Sequence, residues 1–148
     1  MGQYSRRFTI SSLLYLLLGA LLGVWMASNT TVSAMLRFSH IHIMMIGWVS
    51  MMIFGLGYHV IPRFCSKPLV SQSWQALHWW LSNLGLLGMI MFPIVRFINP
   101  LMSPVWTYVF ILACIFQLIG IFIFVVVMLH TVIPPSFFKN KPCCKECS

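Results

Sequence analysis

A long apolar run from Ser39 to Arg63 constrains the fold of this chain most strongly. The hydrocarbon core of a bilayer is about 30 Å thick and a helix rises about 1.5 Å per residue, so about 20 apolar residues cross it. This run is long enough to do so, yet it contains His40, His42 and His59. Because an imidazole inside a membrane is costly and usually has a partner, the run is a candidate binding site as well as a candidate span.

The composition extends this interpretation to the whole chain. Its 148 residues are 60% hydrophobic and 7% charged, which is typical of an integral membrane protein with no separate soluble domain. Glu146 is the single acidic residue, so a catalytic pair of carboxylates and a site for Mg²⁺ or Ca²⁺ are excluded. The remaining ligand types, five His, five Cys and eleven Met, suit heme iron, copper or zinc. The net charge of +8 comes from basic residues near span ends, and we expect no nucleic-acid partner.

Four membrane spans are predicted, approximately at residues 10–28, 39–61, 74–94 and 105–133, followed by a flexible tail at 134–148. The links between them are short, including a polar link at 29–38, so consecutive helices should be antiparallel neighbours. The predicted fold class is an all-α membrane protein, a single domain forming a four-helix up-down-up-down transmembrane bundle in the lipid bilayer.

The basic residues predict how this bundle is oriented. Arg37 and Arg96 fall on one side, whereas a larger group falls on the other: Arg6, Arg7, Arg63, Lys67, Lys139, Lys141 and Lys145. Because cytoplasmic loops are enriched in Lys and Arg, both termini are predicted to be cytoplasmic. The Trp and Tyr residues at span ends, Tyr58 among them, are assigned to the aromatic belts at the two membrane interfaces.

This orientation places His40 and His42 together at the outer end of the second span. A helical step of about 100° per residue separates them by about 200°, so they face opposite sides and cannot both bind one ion. No other histidine is predicted at that level, so a heme bound there by two histidines would take its second ligand from another protomer or subunit. The alternative second ligand is a methionine, for which the candidates are Met26, Met89, Met91 and Met102. An oligomer is therefore expected.

A second group of histidines is predicted at the cytoplasmic side. His59, His78 and His130 come from three helices at similar depth and have the number and type of ligands of an open zinc or copper site. A second heme bound through His59 and His78 is another hypothesis. The simpler alternative is that these residues are interfacial and bond water or lipid headgroups.

Two further sets of residues bear on cofactor binding. Arg37 and Arg96 lie at the outer boundary, where guanidinium groups suit the carboxylates of heme propionates. The tail cysteines Cys143, Cys144 and Cys147 are too few for a structural zinc site, and a flexible tail is the favoured interpretation.

The stretch from Leu36 to Phe64 contains HIH, then GWVSMMIFGLGYH, then PRF. It resembles the second transmembrane helix of subunit I of the heme-copper oxidases. The similarity is greatest to the nitric oxide reductase and high-affinity bacterial oxidase branches and to the short subunit I-like proteins found beside them. In that family this helix begins on the outer side with a histidine that is an axial ligand of low-spin heme. The resemblance maps this ligand onto His40, with His42 as the alternative, and implies heme b and the bacterial inner membrane.

The chain also departs from the family pattern. It has fewer spans, and the helices that carry the copper ligands and the second low-spin heme ligand have no counterpart in it. A complete oxygen-reducing centre therefore cannot be built from one chain, although a homo-oligomer would imitate part of the family's arrangement of four-helix arcs.

The function that the resemblance implies is heme b binding in respiratory electron transfer, or in chemistry on O₂ or NO, with a cytochrome or quinol as electron donor. Oxidoreductase activity of the chain itself is left open. Two alternatives are a copper-handling membrane protein and a cofactor-free accessory subunit of a respiratory complex.

Overall fold

The computed structural model describes residues 2–66, 68, 71–99, 101 and 103–133. These residues form four helices and no strand: α1 (Gln3–Ser28), α2 (Thr30–Phe64), α3 (Gln72–Ile98) and α4 (Val105–Val132). Each helix is long and apolar enough to span a membrane, so the all-helical fold with four spans is confirmed and the chain is a multi-pass membrane protein. Met102 and the tail that carries Cys143, Cys144 and Cys147 lie outside the described residues.

The polar link predicted at 29–38 is helical instead. The side-chain oxygen of Asn29 accepts hydrogen bonds from the backbone N–H groups of Thr31 (3.0 Å) and Val32 (3.1 Å). These bonds satisfy donors that the first turn of a helix leaves open, which is why Asn is a favoured N-cap. As a result α2 begins at Thr30, directly after α1, and this helix extends beyond the bounds predicted for the second span.

The middle of α2 is wound differently from its two ends. Thr30–His42 and Met51–Phe64 are α-helical, whereas Ile43–Ser50 is π-helical. Side-chain hydroxyls donate to two carbonyl groups of the π-helical turns, Ser50 to Met45 (2.8 Å) and Ser12 of α1 to Trp48 (3.0 Å). Stretches of π-helix are rare in proteins, and those that occur often lie at functional sites. This one begins directly after His42.

Buried serines join α2 to both of its main neighbours. Ser5 of α1 donates to the Gly55 carbonyl (2.5 Å), and Ser39 of α2 donates to the Ile90 carbonyl of α3 (2.9 Å). Lipid tails are as apolar as the side chains of membrane helices, so the hydrophobic effect does not drive these helices together. Hydrogen bonds between helices therefore contribute to their association.

The helices α3 and α4 approach each other closely at Gly85. A Cβ atom at this position would lie 2.8 Å from the carbonyl oxygen of Ala113 and 2.9 Å from the nitrogen of Gln117, both backbone atoms. Only glycine allows this approach. The core of the bundle draws on all four helices and consists of Phe8, Tyr15, Ile43, Met51, Phe54, Tyr58, Leu86, Ile90 and Met128.

Candidate functional site

His40 and His42, the two histidines predicted at the outer side, lie in the last turn of the first α-helical part of α2. The ring of His40 faces α1, where a Cβ on Gly23 would lie 3.2 Å from its Cε1 atom. The ring of His42 instead stacks on Phe38, with ring centroids 3.9 Å apart, and Phe38 contacts Phe110 of α4 at 6.0 Å. The two rings therefore occupy different sides of the helix, as the helical step predicts.

His42 has the tautomer and the support that are typical of a metal ligand. Its Nδ1 atom lies 2.8 Å from the carbonyl oxygen of Phe38. Because a carbonyl only accepts, Nδ1 carries the proton in the neutral ring and the lone pair is on Nε2. Metal-binding histidines commonly donate their other ring N–H to a carbonyl in this way, which fixes the orientation of the ring. The side chain is half-buried, so the ring is not enclosed by the bundle.

His40 has a different environment from that of His42. Its Nδ1 atom is buried and makes no hydrogen bond with the described residues. Its ring is positioned by packing against the surface of α1 at Gly23. Of the two histidines, His42 has the arrangement that metal ligands usually show.

Arginines and an apolar groove lie in the same half of the bundle. Arg37 and Arg96 are both exposed, and neither has a carboxylate side chain to pair with in the described part of the chain, where no Asp or Glu occurs. A groove of about 260 Å³ between α3 and α4 is lined by apolar side chains, including Trp106 and Phe110. Because Phe110 also contacts Phe38, the groove borders the stack of Phe38 and His42.

The methionines considered as second ligands are dispersed. Met91 lines the groove, whereas Met89 is buried and Met26 is half-buried on α1. No contact between these three methionines and the ring of His42 occurs among the described ring contacts and hydrogen bonds.

The three inner histidines do not form one site. His59 Nε2 lies 2.6 Å from a guanidinium nitrogen of Arg63, and because arginine only donates, the Nε2 lone pair is engaged in this bond. His130 is exposed on α4, whereas His78 is fully buried. Among the residues that the structure describes, which include all three, no three His, Cys, Asp or Glu side chains are grouped as metal ligands. The three-histidine zinc or copper site is thus not assembled.

His78 lies in the core, bonded to a tyrosine. Its Nδ1 atom is 2.9 Å from the hydroxyl of Tyr58, and its ring centroid is 4.8 Å from that of Phe8 and 4.6 Å from that of Phe54. The assignment of Tyr58 to an interfacial belt is wrong, because its side chain is only 1% exposed and its hydroxyl has a partner in the core. In the structure His59 is bonded to Arg63 and His78 to Tyr58. A second heme through His59 and His78 stays a prediction.

Two polar residues beside His78 were missed by the sequence analysis. Ser82 and Gln117 are both buried in the contact between α3 and α4. The signal for Gln117 was available, because it is a polar side chain in the middle of the most apolar span, and such residues are functional candidates. The signal for Ser82 was weaker. It consists only of the position of Ser82 one helical turn after His78.

The family model described as cytochrome c and quinol oxidase polypeptide I matches residues 3–141. The chain belongs to this family. No curated protein and no solved structure matches it. As a member of the cytochrome c and quinol oxidase polypeptide I family, the chain is related to subunit I of the heme-copper oxidases, whose members typically hold heme and copper. The family resemblance carried by Leu36–Phe64 is thereby confirmed.

Proposed function

We propose that the chain is a heme b-binding membrane protein that acts in respiratory electron transfer as a homo-oligomer. The observation that carries this proposal is the 2.8 Å bond from His42 Nδ1 to the Phe38 carbonyl. This bond fixes the ring and leaves the lone pair of Nε2 available to bind the heme iron. Membership of the oxidase family supplies the class of cofactor. In this proposal His42 is the axial ligand, in place of His40, which the sequence resemblance favoured.

The residues around His42 fit a heme at the surface of the bundle. The groove beside Phe110 has a volume of about 260 Å³, below the range of about 300–1,000 Å³ that is usual for ligand pockets. A macrocycle bound at His42 would therefore extend beyond the groove and require a second chain to cover it. Phe38 and Phe110 provide apolar surface for the porphyrin, and the exposed guanidinium groups of Arg37 and Arg96 suit its propionates.

The second axial ligand, in our proposal, is His42 of a second copy. Of the other histidines, His40 faces α1 and His78 is in the core, whereas His59 and His130 lie near the C-terminal ends of α2 and α4, away from His42. A twofold axis would bring the two copies of one surface together, which is the commonest symmetry of oligomers. The heme supplies one-electron chemistry, and the chain orients the imidazole, excludes water and balances the propionate charge. Closure by two imidazoles favours electron transfer over chemistry on O₂ or NO, which requires an open iron position.

The cellular setting belongs to the same proposal. The excess of Lys and Arg that the sequence predicts on one side of the membrane supports cytoplasmic termini in a bacterial inner membrane. A cytochrome or a quinol would then donate electrons to the heme.

The cofactor content of the purified protein tests this proposal. We expect the pyridine hemochrome assay on detergent-purified protein to detect heme b, at up to one heme for every two chains, and elemental analysis to detect no stoichiometric copper. Copper without heme would contradict the proposal and favour a copper-handling protein. Absence of both from protein expressed with an ample heme supply would favour the accessory subunit.

A further inference from the structure

Four polar side chains from three helices lie in the core, away from the outer histidines. They are Tyr58 of α2, His78 and Ser82 of α3, and Gln117 of α4, and none is more than 4% exposed. Gly120 of α4 lies beside two of them, because a Cβ there would lie 2.9 Å from Ser82 Oγ and 3.2 Å from His78 Cδ2. Gln117 precedes Gly120 by about one turn and so lies on the same face of α4.

The hydrogen bonds within this cluster leave several polar atoms without partners. Tyr58 and His78 are bonded to each other at 2.9 Å. His78 Nε2, Ser82 Oγ and both amide atoms of Gln117 are buried and make no hydrogen bond with the described residues. Such groups are costly inside a membrane bundle, where lipid provides no substitute for water.

His78 Nε2 lacks a hydrogen-bond partner among the described residues in both tautomers of the ring. If Tyr58 donates to Nδ1, then Nε2 carries a proton that requires an acceptor. If Nδ1 instead donates to Tyr58, then Nε2 has a lone pair that requires a donor. A partner that both donates and accepts satisfies either case, together with the amide oxygen and amide nitrogen of Gln117.

We propose that His78, Ser82 and Gln117 form an internal water-binding site between α3 and α4. Buried waters typically make about three hydrogen bonds to otherwise unsatisfied polar groups, and these three side chains supply that number of partners. The rings of Phe8 and Phe54 pack against His78, so the site is enclosed on that side by apolar groups. A metal ion fits less well, because His78 is the one strong metal ligand of the cluster.

The water site would give the polar cluster a continuous set of hydrogen bonds across the bundle. It would run from Tyr58 of α2 through His78 and Ser82 of α3 to Gln117 of α4, adding to the buried hydrogen bond from Ser39 of α2 to the Ile90 carbonyl of α3. This inference does not rest on the proposed heme, since no residue of the cluster lies at the outer site.

Solid-state NMR on the full chain in liposomes, with ¹⁵N-labelled histidine, tests this inference. The His78 nitrogen resonances are identified by their shift in Tyr58→Phe, which removes the hydroxyl bonded to Nδ1. In protein that also carries ¹³C-labelled methionine methyl groups, we expect magnetisation to pass from water to His78 Nε2 and not to the methyl group of the fully buried Met51.

Two variants make the test specific to the polar cluster. Gln117→Met replaces the amide by an apolar group of similar shape and should remove most of the water signal at His78. Ile115→Met, on the exposed side of α4, should leave that signal unchanged.

A wild-type protein in which water transfers no signal to His78 Nε2 would overturn the inference, and so would an unchanged signal in Gln117→Met. A direct bond from the Gln117 amide to His78 Nε2, without transfer from water, would likewise overturn it. If Gln117→Met does not fold, the wild-type measurement decides alone.

Discussion

The His42→Ala protein is expected to lose the heme b absorption bands of the purified protein. The imidazole of His42 is fixed by the bond from Nδ1 to the Phe38 carbonyl, and the neighbouring His40 faces α1 instead. Loss of an outer-shell partner alone typically lowers metal affinity about 10–100-fold, and loss of the ligand itself should lower it further. A reduced-minus-oxidised visible spectrum, normalised to protein, measures the loss.

The matched control is His40→Ala, which removes the same atoms two positions earlier in the helix. Because the ring of His40 packs against Gly23 of α1, this variant should keep the heme bands. Bands that survive in His42→Ala and disappear in His40→Ala would return the ligand to the position that the sequence resemblance favoured. Circular dichroism of both variants shows whether the helices are intact.

The Gly85→Ala protein is expected to unfold at a lower temperature than the wild type. The added methyl would lie 2.8 Å from the Ala113 carbonyl oxygen and 2.9 Å from the Gln117 nitrogen, so α3 and α4 would have to move apart. Overpacking of this kind typically costs about 1–3 kcal/mol. The helix propensity of alanine, about 1 kcal/mol above that of glycine, offsets part of this cost.

Gly23→Ala is a suitable control for the Gly85 variant. The three atoms nearest to its methyl would all belong to the ring of His40, the first of them at 3.2 Å, and a side chain can adjust where two backbones cannot. Thermal unfolding in detergent, followed by circular dichroism, should therefore place Gly85→Ala below Gly23→Ala. A Gly85→Ala protein as stable as the control would show that the contact between α3 and α4 is looser than described.

The number of spans could be predicted from the sequence, because a helix that crosses a bilayer must be predominantly apolar along its whole length. The start of α2 could not be predicted so easily, since residues 29–38 are polar in composition and their helical form depends on the cap at Asn29. The π-helical winding of Ile43–Ser50 has no sequence signal that we recognise. One carbonyl of this stretch accepts a hydrogen bond from Ser12 of a neighbouring helix, whose position is a property of the packed bundle.

The candidate site was predictable in residue type and less so in detail. The separation of His40 and His42 onto different faces follows from helical geometry alone. The difference between them as ligands does not, because it depends on a bond to the Phe38 carbonyl and on packing against α1. The burial of His78 in the core could not be predicted, because its aromatic neighbours Phe8 and Phe54 come from other helices, and their arrangement is set by tertiary packing.

Native mass spectrometry of the detergent-purified protein tests the central claim most directly, because it counts hemes and chains in one particle. A heme held by His42 from each of two copies predicts a dimer that carries one heme, and heme-free chains in the His42→Ala protein. A monomer that retains heme, or a dimer that carries one heme per chain, would contradict a heme shared between two copies of this chain.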